Sequence, residues 1–229
     1  MPKNLPYQNS VKIMKQLSSL LFILLLLTAC SKEDSFEKTS YRVVDIFPEI
    51  SLSDELNLYV DETGQPANGN YTSSYQNGFT LADITFSEGM ISEGEIFRSD
   101  GLQEVSYKVE NDRLKLTFYR EDGEPRLITV YGDNMSDRRE FHVWHEDGTR
   151  LVESDETIFR TWYENGRPRV QMPSVDGELH GKVALWYENG QKEYEQHYSG
   201  GVKHGTFKEW DEEGNITDEK VYEMGELIE

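Results

Sequence analysis

One cysteine, Cys30, stands in 229 residues, so no intramolecular disulfide framework can staple the chain. Basic residues are scarce, 23 Lys and Arg against 43 Asp and Glu, for a net charge of −20. The first 29 residues hold Lys3, Lys12 and Lys15 and no acid, which leaves 20 basic and 43 acidic residues, or −23, for the rest. Phosphate backbones are held by Lys and Arg, so this balance excludes a nucleic-acid binder. It equally excludes retention by anionic lipid headgroups. The longest apolar run, residues 20–27, is eight long, against the roughly 20 that span a bilayer as a helix. No GxxxxGK[ST] phosphate loop and no GxSxG elbow occurs. Aromatics, by contrast, are plentiful, with 13 Tyr, 10 Phe and 4 Trp. They supply the burial that ordering requires and argue against a disordered chain.

The apolar run lies inside MKQLSSLLFILLLLTAC, residues 14–30. Lys15 gives a positive start, and Thr28 and Ala29 give small residues at the end, the layout of a secretory signal. Met14-Lys15 is the more usual way for such a signal to begin, and translation from Met14 is an alternative start. Leu27-Thr28-Ala29-Cys30 resembles the lipobox of bacterial lipoproteins. The resemblance implies cleavage before Cys30, diacylglycerol on its sulfur and acylation of its new amino group, an anchor that stays in the membrane because two lipid signals already suffice. Ser31-Lys32-Glu33-Asp34 resembles the tag that sends some outer-membrane lipoproteins to the cell surface. The expected organisation is a signal peptide at 1–29, a lipidated Cys30 with a polar tether at 30–56, and a repeat domain at 57–229. The apolar residues 43–47 are expected to form one lead-in strand.

The rest reads as one repeat. Gly78, Gly101, Gly123, Gly148, Gly166, Gly190 and Gly214 take equivalent places, spaced 23, 22, 25, 18, 24 and 24 residues apart. Asn or an acid precedes each: Asn77, Asp100, Asp122, Asp147, Asn165, Asn189 and Glu213. Four positions before the Gly, six copies carry an aromatic: Phe97, Tyr119, Trp144, Trp162, Trp186 and Trp210. The copy between Gly148 and Gly166 is six residues short. Asn-Gly and Asp-Gly predict type I′ hairpin turns. A second turn is expected about eleven residues later, at Gly89, Gly177, Gly201 and Gly225. Apolar residues at alternate positions, such as Ala82, Ile84 and Phe86, predict strands between them. The columns four and seven residues before each Gly, Trp186 and Val183 for example, have opposite parity. Either both sheet faces are partly apolar or a bulge intervenes.

Trp162-Tyr163-Glu164-Asn165-Gly166 and Trp186-Tyr187-Glu188-Asn189-Gly190 resemble the bacterial variant of the MORN (membrane occupation and recognition nexus) repeat, G-x-x-x-x-[WY]-[YF]-x-[ND]-G. The resemblance covers about 57–229, in about seven repeats, and is strongest from Phe141 onward. It implies an all-β fold of tandem antiparallel β-hairpin repeats stacked into one elongated twisted sheet. Single hairpins are marginal in water, whereas stacked ones share an apolar layer.

No catalytic constellation stands out, and no cofactor is expected. The five His do not share a metal-ligand spacing. His142 and His145 point to opposite faces of a strand, and His180 and His204 occupy one repeat phase just before Gly181 and Gly205, so no metal site is expected. The four Trp are expected to form a stacked core column. The reading is a lipid-anchored envelope protein of the outer membrane, surface-exposed, with a non-catalytic binding or scaffolding role toward a protein partner of basic surface. The alternative is a glycan or small ligand bound by exposed aromatics, with Tyr163 and Tyr187 as candidates.

Overall fold

The computed structural model describes residues 43–53, 58–132 and 137–229. The signal peptide at 1–29, Cys30 and the tether to residue 42 lie outside the described residues. The chain is all-β and antiparallel, and it divides into two compact units. Of the described residues, those up to Gly123 with Val130–Arg138 make the first, and Glu124–Thr129 with Arg139–Glu229 the second.

The first unit opens with a helix, α1 (Val43–Ile46), where a lead-in strand is expected. Its Val43 and Ile46, with Phe47 and Ile50 just after, are buried, so the segment plugs the core. Strands β1 (Ser51–Ser53) and β2 (Leu58–Val60) pair. The sheet proper is β3 (Gly69–Ser74), β4 (Thr80–Ser87), β5 (Met90–Phe97), β6 (Gln103–Glu110) and β7 (Arg113–Tyr119), each paired antiparallel with the next. Ala82, Ile84 and Phe86 alternate along β4 and are buried with Tyr59, Ala67 and the four residues at 43–50. Tyr59 and Tyr71 each meet Phe86 edge-on at 5.4 Å, a preferred aromatic geometry. Strand β8 (Pro125–Tyr131) is divided, its residues up to Thr129 belonging to the second unit.

The second unit continues through β9 (Arg138–Trp144), β10 (Arg150–Ser154), β11 (Ile158–Trp162), β12 (Pro168–Val175), β13 (Glu178–Leu179), β14 (Gly181–Trp186), β15 (Lys192–Ser199), β16 (Val202–Lys203), β17 (Gly205–Trp210), β18 (Ile216–Glu223) and β19 (Glu226–Leu227). Every successive long pair is antiparallel, with β12 meeting β14 and β15 meeting β17.

The two turn families differ from expectation in kind. At the Asn-Gly and Asp-Gly positions only the glycines have positive φ, 77° at Gly166 and 92° at Gly190. The turns there are not type I′. The residue three before the Gly donates its N–H to the carbonyl just after the Gly, as Tyr163 does to Arg167 at 2.9 Å, and Gly166 N–H returns to Tyr163 O at 2.9 Å. That is a three-residue loop of a type I turn closed by an αL glycine. The cause is in the side chains. Asn165 and Asn189 Oδ1 accept the N–H two residues on, which holds them in ordinary φ. The type I′ turns lie at the other end of the hairpins, where both residues have positive φ: Glu88-Gly89, Asn111-Asp112, Asp176-Gly177, Gly200-Gly201 and Met224-Gly225.

Both alternatives for the parity conflict hold. Register shifts fall at the aromatic column, between Thr161 and Trp162, Leu185 and Trp186, and Glu209 and Trp210. Along β14 the alternation continues, and the neighbours Val183 and Ala184 are both buried, so both faces carry packed apolar groups.

Candidate functional site

The Asn-Gly edge of the second unit is held by a side-chain ladder. Tyr163 O–H donates to the Trp186 carbonyl at 2.7 Å, and Tyr187 O–H donates to the Trp210 carbonyl at 2.9 Å. Asn165 and Asn189 Nδ2 donate to the carbonyls of Glu188 and Glu212 at 3.1 and 2.9 Å. The first unit repeats the device with Tyr75 to Phe97 O and Asn77 to Ser99 O. A tyrosine and an asparagine of one copy thus clamp the turn of the next. Tyr163 and Tyr187 are half-buried with their hydroxyls engaged. Loss of hydration, then the carboxylates of Glu193, Glu212 and Asp211, raise the pKa of the Tyr187 hydroxyl. In the copy that carries Asp100 instead of Asn, arginine substitutes: Arg98 pairs with Asp100 and with Glu121 of the next copy. The final copy carries Asp211 and Glu213, and Asp211 turns inward to accept Asn215 N–H at 2.7 Å.

Two residues before the Gly stands an exposed glutamate in five copies: Glu121, Glu146, Glu164, Glu188 and Glu212. In the second unit four of them follow the stacked turns, with Asp147 and Glu213 beside them.

The four tryptophans are half-buried, and they are not a stacked column. Among the described residues no ring contact joins two of them. In the second unit Phe207 stacks between Tyr198 and Tyr222, at 5.5 and 4.7 Å, on the face that also carries Val183. Register puts a different row on the opposite face: Glu153, Arg160, Gln171, Ala184, Glu195, Lys208 and Glu219, each directly across from the next. Its charges are paired. Glu195 is held by Lys182 at 3.0 Å and by Lys192, and against the cost of burial these lysines keep its carboxyl below the usual range. Lys208 meets Glu219 at 3.0 Å. The tryptophans share this face with cations. The Arg150 guanidinium lies 5.6 Å from the Trp162 ring centre and Lys192 Nζ 5.9 Å from that of Trp210, both within cation–π range.

On this face, in the short copy, a cavity of about 370 Å³ is lined by Arg150, Glu153, Arg160, Trp162, Pro168 and Gln171. Glu153 forms an ion pair with Arg150 at 3.0 Å and accepts a hydrogen bond from Arg160 at 3.4 Å. Thr161, also in the wall, has a buried hydroxyl without a hydrogen-bond partner. The sequence reading missed these residues. Their signal is the six-residue shortfall between Gly148 and Gly166, with Arg150 and Lys192 both second after a turn Gly.

His180 and His204 are exposed at equivalent points between strands, as their shared phase implies. His142 lies 3.7 Å from Glu140, and His145 begins a turn, donating its N–H to Thr149 O. Among the described residues no three His, Cys, Asp or Glu are grouped to hold a metal ion. No family model and no curated protein matches the chain.

Proposed function

We propose that this chain is a non-catalytic, lipid-anchored envelope module that binds a protein partner of basic surface along its Asn-Gly turn edge. The observation that carries the reading is the column of exposed glutamates at 164, 188 and 212, set on turns whose backbone is fixed by the tyrosine and asparagine ladder. A rigid row of like charge favours a complementary cationic surface and speeds its encounter. The lipobox at 27–30 supports attachment through Cys30, and the Ser31-Lys32-Glu33-Asp34 tag supports the outer face of the outer membrane. The repeat resemblance supports a scaffold role at the level of fold.

The test is affinity capture with the full chain in mild detergent, at low and then moderate salt, beside a variant carrying Glu164→Gln, Glu188→Gln and Glu212→Gln. A basic protein retained by the parent, released by salt and lost from the variant supports the reading. Capture of nothing at low salt, or of the same proteins by both forms, refutes it.

The alternative, a glycan or small ligand held by aromatics, finds its support at Trp162 rather than at Tyr163 and Tyr187. A cavity adjoins the tryptophan, whereas both tyrosine hydroxyls are engaged in the fold.

A further inference from the structure

We infer that the cavity of the short repeat binds a carboxylate-bearing sugar. The inference rests on the small-ligand alternative above and names its site and ligand class.

Size is the first consideration. Ligand sites occupy about 300–1,000 Å³, and about 370 Å³ suits one sugar ring with its substituents. Charge is the second. In a chain of net charge −20, the wall brings two guanidiniums against the single carboxylate of Glu153. Glu153 engages one N–H nitrogen on each arginine. The side chains of Arg150 and Arg160 are 43% and 40% exposed, against 18% for Glu153, so their remaining donors reach solvent while Glu153 is tucked behind. Planar guanidinium donors match a carboxylate in two-point geometry. At physiological salt the acidic surface beyond about 8 Å is screened, so contact pairs decide the sign of binding. The body of the ligand is the third consideration. Trp162 supplies an aromatic ring and Gln171 an amide that can serve hydroxyls, a mixture that fits a sugar better than a bare organic acid.

Place in the repeat separates this site from its neighbours. The regular copy repeats the arrangement of cation, glutamate and tryptophan as Lys192, Glu195 and Trp210, with Lys208 in the place of Arg160 and Lys182 as a further cation on Glu195. There lysine replaces both arginines, and the point charge lacks the fork. The arginine version occurs where six residues of the repeat are missing. Local departures from an otherwise consistent pattern are where functional sites are found.

The test is titration of the full chain in mild detergent with galacturonic, glucuronic and N-acetylneuraminic acids, read by tryptophan fluorescence and calorimetry. Galactose, glucose and acetate are the matched controls. Expected is saturable binding of at least one acid with Kd of about 1 mM or below, at least about tenfold tighter than its controls. Arg160→Gln should weaken it at least about tenfold. Lys208→Gln, in the same row of a regular copy, should leave it unchanged. Arg150→Gln, on a different strand, is the second variant should Arg160→Gln fail to fold by circular dichroism. Equal binding of the neutral sugars overturns the inference and leaves the small-ligand reading standing. Equal binding of acetate overturns it as simple ion pairing. Binding of none of the probes overturns both.

Discussion

Tyr163→Phe removes one oxygen from the turn-edge ladder and leaves the ring, with the Arg169 guanidinium 5.5 Å from its centre. What is lost is the 2.7 Å bond to the Trp186 carbonyl, the link between one hairpin and the next. A neutral hydrogen bond nets about 0.5–1.5 kcal/mol, and an acceptor left dry costs more. This acceptor is partly buried, so water restores part of its bonding and the loss should be about 1 kcal/mol. With a urea dependence of about 2–3 kcal/mol/M, the unfolding midpoint should fall by about 0.3–0.5 M. Stability in a stacked-repeat chain resides in interfaces between neighbours. Hydrogen exchange should therefore quicken in β11 through β15 while the 43–50 core is unaffected. Asn165→Asp should act on the same interface, since it keeps the acceptor for Arg167 N–H but replaces the amide that donates to Glu188 O at 3.1 Å. In a double-mutant cycle the two changes should couple. A midpoint within about 0.1 M of the parent, an effect near only 0.2–0.3 kcal/mol, refutes the ladder as a source of stability. Unchanged stability with lost glycan binding would make the hydroxyl a ligand contact.

Gly94→Ala should destabilise by about 1–3 kcal/mol in thermal unfolding, because a Cβ there would lie 2.5–2.6 Å from the Tyr107 ring and hydroxyl; no midpoint shift would show that the ring gives way freely. Tyr107→Phe should raise the stability by about 1 kcal/mol, since the hydroxyl it removes is buried without a hydrogen-bond partner; a lower midpoint would reveal a partner such as water. At high pH, burial holds the Tyr59 hydroxyl neutral to about 12, so the folded chain keeps a proton that the unfolded chain loses near 10. Stability should then decline from about pH 10 to 12 by on the order of 2 kcal/mol, and Tyr59→Phe should flatten that decline in urea titrations.

The repeat was legible because its turns need glycine at fixed places, and Gly78 through Gly214 give the hairpin count before any strand is identified. Turn type was not legible. Asn165 and Asn189 look like the first residue of a type I′ turn, yet their side chains accept a backbone N–H and keep φ negative, and dipeptide identity does not disclose which use the side chain takes. Asn111-Asp112 makes a type I′ turn with no glycine at all and was invisible for that reason. Residues 43–47 look like a strand because three of them are β-branched, but packing against Tyr59, Tyr71 and Phe86 made the segment helical through Ile46. Tertiary burial overrode a weak local preference. The tryptophans were legible as one repeated position, but neither their face nor the lack of ring stacking between them was. Only the cross-strand register shows that they lie with Arg150, Lys192 and the charged row instead of with Phe207 and Tyr222.

The ladder also separates what the fold uses at the turns from what it leaves over. At positions 188 and 212 the fold uses the backbone carbonyl, which accepts an asparagine amide. Any residue supplies that carbonyl. The carboxylates of Glu164, Glu188 and Glu212 make no ion pair among the described residues, unlike Glu121 with Arg98 and Glu146 with Arg126. Three like charges along one edge repel one another, modestly because they are solvated. On folding grounds they are therefore neutral or slightly adverse. Glu164→Gln, Glu188→Gln and Glu212→Gln together should leave the unfolding midpoint unchanged or raise it slightly at low salt, and the gain should fade as salt screens the charges. The same variant should associate more slowly with a basic partner. A destabilised variant would mean that the glutamates act in the fold, and the partner reading would lose its support at the turn edge.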